Sequence, residues 1–520
     1  MTGADTLRAG PTALIVFAAF IAAGLALTVL AARRTRGSAD YWTAGGSLSG
    51  RQNGFAIAGD YVSSATFIGN TGLIFLVGFD GTFIAIPALS AFVLLLLLFA
   101  EPLRNLGKFT IGAVLEVRYK LKSVRTAAAV GSLSISVCYM IIQLVAGGVI
   151  LQLLTGIRFE LSVLLTIVLV LVYVVLGGMY AATFVQIAKA VIVTLIALVI
   201  AVWVLVRVGG PTQLFAQAGA EGGPAFYLPG NLYSNPWALA SVSLAFALGG
   251  AGLPHLLVRL FTVKDAAAGR RSLVWATSLI GFFFILVTIL GLGARALLPE
   301  STDTLITETG GNAVLPLLTI FLGGGPGALA ADIALAVVAA ATFATIVAVV
   351  AGLTVTAAGA MTHDLWAGVL RKGQASEREE LIVGRVSGVV VALAAMAITL
   401  MAGPGINVTV LASQVLAVAA SASFPVLLLT LYWRRFTAAA AVYGTVIGLV
   451  LTIALILFPP FGLANPAIIS VPAGFLVCIV ASLITPRQTD TEAAKFDAAL
   501  SVDHTARPTA AHTPRDEVIH

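Results

Sequence analysis

Along the chain, runs of apolar residues about as long as a bilayer is thick alternate with short polar stretches. Thirteen such segments lie near 11–31, 52–79, 82–100, 127–153, 161–180, 184–207, 237–258, 273–296, 329–360, 382–402, 407–431, 438–458 and 468–486. As helices rising about 1.5 Å per residue, each is long enough to cross about 30 Å of hydrocarbon. One such run alone could be a buried helix of a soluble core. Thirteen in succession, joined by short polar loops, predict an all-α polytopic membrane protein.

Composition agrees with the pattern, since 59% of the 520 residues are hydrophobic and 10% charged, too apolar for an ordinary water-soluble chain. The basic residues give an orientation, because Lys and Arg collect in short cytoplasmic loops. With the N-terminus outside and the C-terminus inside, the inner loops hold Arg33, Arg34, Arg36 and Arg51; Arg104, Lys108, Arg118, Lys120, Lys122 and Arg125; Arg259, Lys264, Arg270 and Arg271; Arg371, Lys372, Arg378 and Arg385; and Arg434 and Arg435. Arg8, Arg158, Arg207 and Arg295 fall outside, and Lys189 lies just within the sixth segment. The formal charge of +6 therefore reads as topology. Dispersed in this way it excludes a nucleic-acid face, and the expected partners are membrane lipid and a small solute.

Other features carry less. The first segment has its charges after the apolar run, as in a retained helix rather than a secretion signal. Cys138 and Cys478 sit within predicted spans and read as packing residues. Trp42, Trp203, Trp237, Trp275, Trp366 and Trp433 lie mostly near span ends, where ring and N–H meet apolar and wet surroundings. From Thr489 onward the chain is polar and is expected to be a disordered cytoplasmic tail.

Two segments break the apolar pattern. In "AIAGDYVSSATFIGNTG", residues 56–72, Asp60 falls near mid-membrane, where a charge faces a cavity, an ion or a partner. Gly59, Ser63, Ser64, Thr66 and Gly69 surround it, and close packing of small residues is the competing reading for the serines. A helix broken after Ala58 frees the carbonyls of Gly59 and Val62 for a small cation and its amides for an anion. Five segments later, "FALGGAGLPHLLVRLFTV" opens a second helix at Gly249, Gly250, Gly252 and Pro254, followed by His255, which either packs or handles protons near the cytoplasmic end of the break. That spacing is the one an inverted repeat of five helices produces, pairing segments 2–6 with 7–11. The ninth segment offers Thr342 and Thr345, with Thr354 and Thr356 deeper, as hydroxyls for an oxygen-lined sodium site opposite the first break.

Together, "DYWTAGGSLSGRQNGFAIAGDYVSSATFIGNTG", "ALGGAGLPHLLVRLFTVKDA" and "FATIVAVVAGLTVTAAGAMTHDLW" resemble the sodium:solute symporter family, in particular its cation/acetate symporter or monocarboxylate permease branch. The resemblance runs over nearly all of 11–486. It implies a core of two inverted five-helix repeats with discontinuous helices, alternating access and cation-driven solute uptake. It also implies a sodium site from the carbonyls of Gly59 and Val62, and it matches Asp60 to the acid of the proline symporters. Two departures stand out. Where the sugar symporters have paired serines this chain has Ala348 and Val349, leaving Thr342 and Thr345 as the oxygen donors or the ion held differently, so Na⁺ and H⁺ both stay open. Thr66 replaces the glutamine by which those symporters bind sugar.

The reading that results is a secondary symporter importing short-chain monocarboxylates such as acetate, propionate or pyruvate with Na⁺ or H⁺. Sodium-coupled uptake of proline, pantothenate or another small organic solute is the alternative. Gly59, Val62, Thr342 and Thr345 are the candidate cation ligands; Asp60, Ser63, Thr66, Gly250 and His255 are the candidates for substrate binding or coupling. No intramembrane Arg is expected to pair with the anion. No organic cofactor is expected, and no HExxH, Walker A, GxSxG or paired CxxC points to an enzyme. The expected organisation is a peripheral N-terminal helix (1–32), a transport core (52–431, from halves 52–207 and 237–431), two peripheral helices (432–486) and the tail (487–520), in the cell membrane.

Overall fold

The computed structural model describes residues 11–32, 46–106, 110–176, 179–371 and 374–501. Expectations resting on Arg8, Arg33, Arg34, Arg36, Trp42, Lys108, Lys372 and the chain beyond 501 lie outside the described residues. Within them the protein is helical, and extended backbone pairs only in an isolated bridge between Leu48 and Val263. The helices that form the bundle are α1 (Pro11–Ala32), α2 (Gly50–Tyr61), α3 (Ala65–Val77), α4 (Phe79–Leu106), α5 (Ile111–Tyr119), α6 (Lys122–Thr155), α7 (Phe159–Leu176), α8 (Met179–Val208), α9 (Pro236–Leu244), α10 (Pro254–Val258), α11 (Ala266–Leu297), α12 (Val314–Leu322), α13 (Leu329–Gly359), α14 (Glu377–Ala402), α15 (Val408–Ala422), α16 (Phe424–Tyr432), α17 (Ala438–Leu457), α18 (Ala467–Ile484) and α19 (Asp490–Ser501).

Ten helical stretches among the described residues are long and apolar enough to cross a membrane, and they coincide with ten of the thirteen predicted segments. The other three segments hold shorter apolar helices, at Pro11–Gly24, Ala65–Val77 and Phe159–Val172. Helix is the outcome because hydrocarbon offers no partner for backbone N–H and C=O groups, which must be satisfied within the segment. Where the ends meet polar surroundings they are capped. Ser49 and Gln52 form a capping box on α2, Asn235 precedes Pro236 at the start of α9, and Asp265 and Asn407 cap α11 and α15.

α6 and α13 run buried through the middle, whereas Val199 on α8, Ile285 on α11 and Val390 on α14 point outward. Lipid is as apolar as these side chains, so the interior is held by close packing and polar contacts more than by expulsion of water. α15 shows how close the packing is. A Cβ at Gly69 would strike Thr409, and one at Gly249 would strike the backbone of Leu416, so both interrupted regions press on the same helix.

The tail departs from expectation. Residues 490–501 form α19, which docks beside α4 and α5: Phe496 is buried, Asn105 Nδ2 donates to the Leu500 carbonyl at 2.8 Å, and Arg434 pairs with Asp497 at 2.7 Å. The Arg118 guanidinium lies 5.4 Å from the centre of the Phe496 ring. One seated aromatic and a few charge-assisted contacts hold a helix whose composition reads as disordered.

Candidate functional site

α2 runs past the expected break after Ala58 and ends at Tyr61, Val62 leaves the helical region at φ −67°, ψ 87°, and the chain resumes through a wide turn at Ala65–Gly69 that opens α3. The second interruption mirrors it in parts. α9 runs into a wide turn at Ala245–Gly249, the backbone is extended at Leu253, and Pro254 starts α10, where its missing N–H costs nothing. Wide turns of this kind leave carbonyls without their usual donors and recur at functional sites.

Asp60, 2% exposed, stands at the end of α2 beside α8, α10 and α13. Arg259 Nε donates to Asp60 Oδ2 at 2.5 Å, and Gln186 Nε2 donates both to Asp60 Oδ1 and, at 2.8 Å, to the Ala348 carbonyl. Arg259 Nη1 donates to Thr183 Oγ1 at 2.6 Å, and Asn53 Nδ2 donates to the Arg259 carbonyl at 3.0 Å. Lys189, buried and without a hydrogen-bond partner among the described residues, is close enough to Asp60 and Arg259 to feel both charges. Asp60 is therefore paired with Arg259, and Lys189 lies nearby. Arg259, an inner-loop charge by the sequence reading, is 1% exposed and is taken up by Asp60.

The other predicted residues scatter around this cluster. Gly59 abuts the Gln186 backbone, where a Cβ has no room, and the Val62 amide donates to the Ala58 carbonyl at 2.8 Å. Ser63 Oγ and Thr342 Oγ1 are buried without a partner among the described residues, while Thr345 Oγ1 donates to its own helix at the Ala341 carbonyl, 2.8 Å away. Thr345 lies three residues before Ala348, the residue that shares Gln186 with Asp60, so α13 passes the first break at this level. Freed carbonyls and a spare hydroxyl suit a hard cation. His255 is buried with its ring edge-on to Tyr139, centroids 5.2 Å apart, and neither nitrogen has a partner among the described residues. Gly250 faces Ala91 on α4, which makes it a point of helix contact.

Thr66 has a different neighbourhood. It donates to the Tyr61 carbonyl at 3.3 Å and lines a cavity of about 20 Å³ with Tyr61, Asn70, Tyr139, Phe246 and Leu416 among its walls. Both interrupted regions and α15 contribute to that lining. At the end of the bundle near Thr110, α5 packs against the continuation of α13, Ala360–Leu370. Asp364 accepts from Thr110 Oγ1 at 2.7 Å and from Arg125 Nε at 3.1 Å, and Arg125 Nη1 reaches Glu116 at 2.7 Å. Behind this latch a water-sized cavity of about 10 Å³ is lined by Thr110, Ser132, Pro254 and Thr356.

The sequence reading missed Asn53, Asn70, Thr183, Gln186, Lys189 and Arg259 as site residues. Lys189 reads as a topology charge, yet its place inside the sixth apolar segment is a signal; Arg259 falls one residue beyond the seventh segment and gives none. Gln186 gave none.

Comparison with known proteins places the architecture. The model of the sodium:solute symporter family matches residues 41–448. An uncharacterised symporter of Bacillus subtilis (strain 168), YwcA, is 40% identical over 497 residues, covering 92% of this chain and 95% of that protein. Among solved structures, the substrate-bound outward-open state of a Na⁺-coupled sialic acid symporter superposes with a TM-score of 0.74 at 17% identity, covering 92% of this chain and 99% of that one.

Proposed function

The chain belongs to the sodium:solute symporter family, a multi-pass transporter and not an enzyme, and from that premise we propose that it imports short-chain monocarboxylates such as acetate, propionate or pyruvate by alternating access. The observation that carries this reading is the small cavity between the two interrupted helices, where Tyr61, Thr66, Asn70 and Tyr139 supply polar groups and Ala65, Phe246 and Leu416 supply apolar wall. Such a lining suits a cargo with a polar head and one to three carbons. No charged side chain belongs to it.

Sodium is the proposed coupling ion, supported by the family and by the Na⁺-coupled structural neighbour; a proton is the other candidate. Gly59, Val62, Thr342 and Thr345 are the proposed sodium ligands, and the orphaned Thr342 hydroxyl is the feature of this chain that favours them. Asp60 is the proposed coupling group, because it joins α2 to α8 and to the turn that follows α10. Ser63, whose buried hydroxyl neighbours Tyr139, and His255 are proposed to face the cargo or its path. A co-transported cation neutralises the anion, which removes the cost of about 2.3 kcal/mol per charge per 100 mV of opposing potential. The proposed topology has thirteen crossings in the cell membrane, N-terminus outside and C-terminus in the cytoplasm, as the basic loops indicate.

Uptake into proteoliposomes under imposed Na⁺ or H⁺ gradients, against labelled carboxylates and amino acids, tests this reading. Acetate-class anions should accumulate and proline should not. Concentration of proline with acetate ignored would sink the substrate assignment.

A further inference from the structure

Asn70 lies one residue beyond the wide turn that opens α3, 1% exposed, on the wall of the cavity between the interrupted helices. Its Nδ2 and Oδ1 have no hydrogen-bond partner among the described residues. Its polar neighbours are provided for. Ser64 Oγ donates to Gln143 Oε1 at 2.9 Å, Thr71 Oγ1 to the Phe67 carbonyl at 2.6 Å, and Thr409 Oγ1 to the Ala65 carbonyl at 2.6 Å. A buried amide with both ends unmet is costly, and such groups in a packed interior call for an explanation. Here the explanation is the adjoining space. At about 20 Å³ it admits one or two water-sized groups, and the two oxygens of a carboxylate are of that size.

We propose that Asn70 orients the cargo, its Nδ2 donating to a carboxylate oxygen while Oδ1 accepts from a hydroxyl at the same wall, where Tyr61, Thr66 and Tyr139 stand. The carboxylate is thus recognised by neutral donors. Its charge is left to the co-transported cation, and the aliphatic end rests against Phe246 and Leu416. The proposal rests on the reading of this chain as a carrier of carboxylates, and it adds the residue that selects the head group.

The test is Asn70→Leu, close in shape and without polar atoms, alongside Asn70→Asp, which puts a second carboxylate before the cargo. Acetate uptake by proteoliposomes over a range of concentrations gives KM, and thermal melting of the purified protein reports folding. Both variants should raise KM at least tenfold with half-saturation by the coupling ion unchanged, and Asn70→Leu should melt no lower than wild type because two unmet polar atoms are gone. An unchanged KM in Asn70→Leu, or a lowered melting temperature in that variant, would overturn the proposal. If wild type carries proline and not acetate, the monocarboxylate reading fails by itself. The same variants measured on proline, which also has a carboxylate, then decide the role of Asn70.

Discussion

Arg259 and Asp60 meet at 2.5 Å with side chains 1% and 3% exposed, so separating them should be among the most damaging changes available in the core. Arg259→Gln leaves Asp60 with Gln186 as its remaining side-chain partner, and Asp60→Asn leaves Arg259 held by Thr183. Removing one partner of a buried ion pair costs about 3–5 kcal/mol, because the surviving charge is stranded away from water. The double variant removes both charges of the pair and leaves Lys189 as it stands in the Asp60→Asn single. Its two amides can share a neutral hydrogen bond worth about 1 kcal/mol, so its loss should stay near about 2 kcal/mol instead of the 6–10 that addition of the singles gives. Unfolding in mixed micelles with increasing SDS, run on wild type, both singles and the double, measures the cycle. Uptake is recorded on the same preparations, and the double should regain stability without regaining gradient-driven transport. Single losses below about 1 kcal/mol, or a double loss equal to their sum, would show that the pair is not a coupled buried unit.

Two further changes probe the ion and the Asp364 latch. Thr342→Val and Thr345→Val each remove one oxygen and keep a β-branched shape, so the helix should persist while the sodium concentration for half-maximal uptake rises roughly fivefold, about 1 kcal/mol; unaltered sodium dependence in both would move the ion elsewhere and favour proton coupling. Asp364→Asn weakens the charge-assisted bonds from Thr110 and Arg125, and a cysteine placed at Ser132, on the cavity behind the latch, should then be labelled several-fold faster by a water-soluble thiol reagent. Equal labelling with and without the change would mean that α5 is not held by Asp364.

Hydropathy alone located ten stretches able to span, because crossing hydrocarbon demands length and apolarity that can be counted along the chain. The second break was equally visible, whereas the first comes at Val62 and not after Ala58, because the helical bond from the Val62 amide to the Ala58 carbonyl is still made. Gly249, Gly250, Gly252 and Pro254 cannot sustain a regular helix in one run, and the structure interrupts the helix there. What holds the breaks in place was not visible, since pairing in space leaves no local trace. Arg259 looks like any inner-loop arginine until the turn after α10 is seen to be buried, and Gln186 is one polar residue among many. Asn70 was passed over inside "GNTG" for a similar reason. A satisfied amide and an unsatisfied one are spelled alike. α19 escaped because its seat is built by Arg118, Asn105 and Arg434, none of them near it in sequence.

The distance along the chain between the two ends of the buried pair has a consequence for how the protein is made. Asp60 and Arg259 are 199 residues apart, and Gln186 follows Asp60 by 126. At about 5–20 residues per second of synthesis, the acid waits about 10–40 s for its arginine and a shorter time for its amide. During that interval the span containing Asp60 has been made and its counter-charge has not. A lone carboxylate cannot stay charged in hydrocarbon at reasonable cost, so Asp60 must be hydrated beside the insertion machinery or carry a proton until Arg259 emerges. The first half of the bundle is consequently an unfinished object at birth, and its most polar residue joins its ion pair only after the second half begins to arrive.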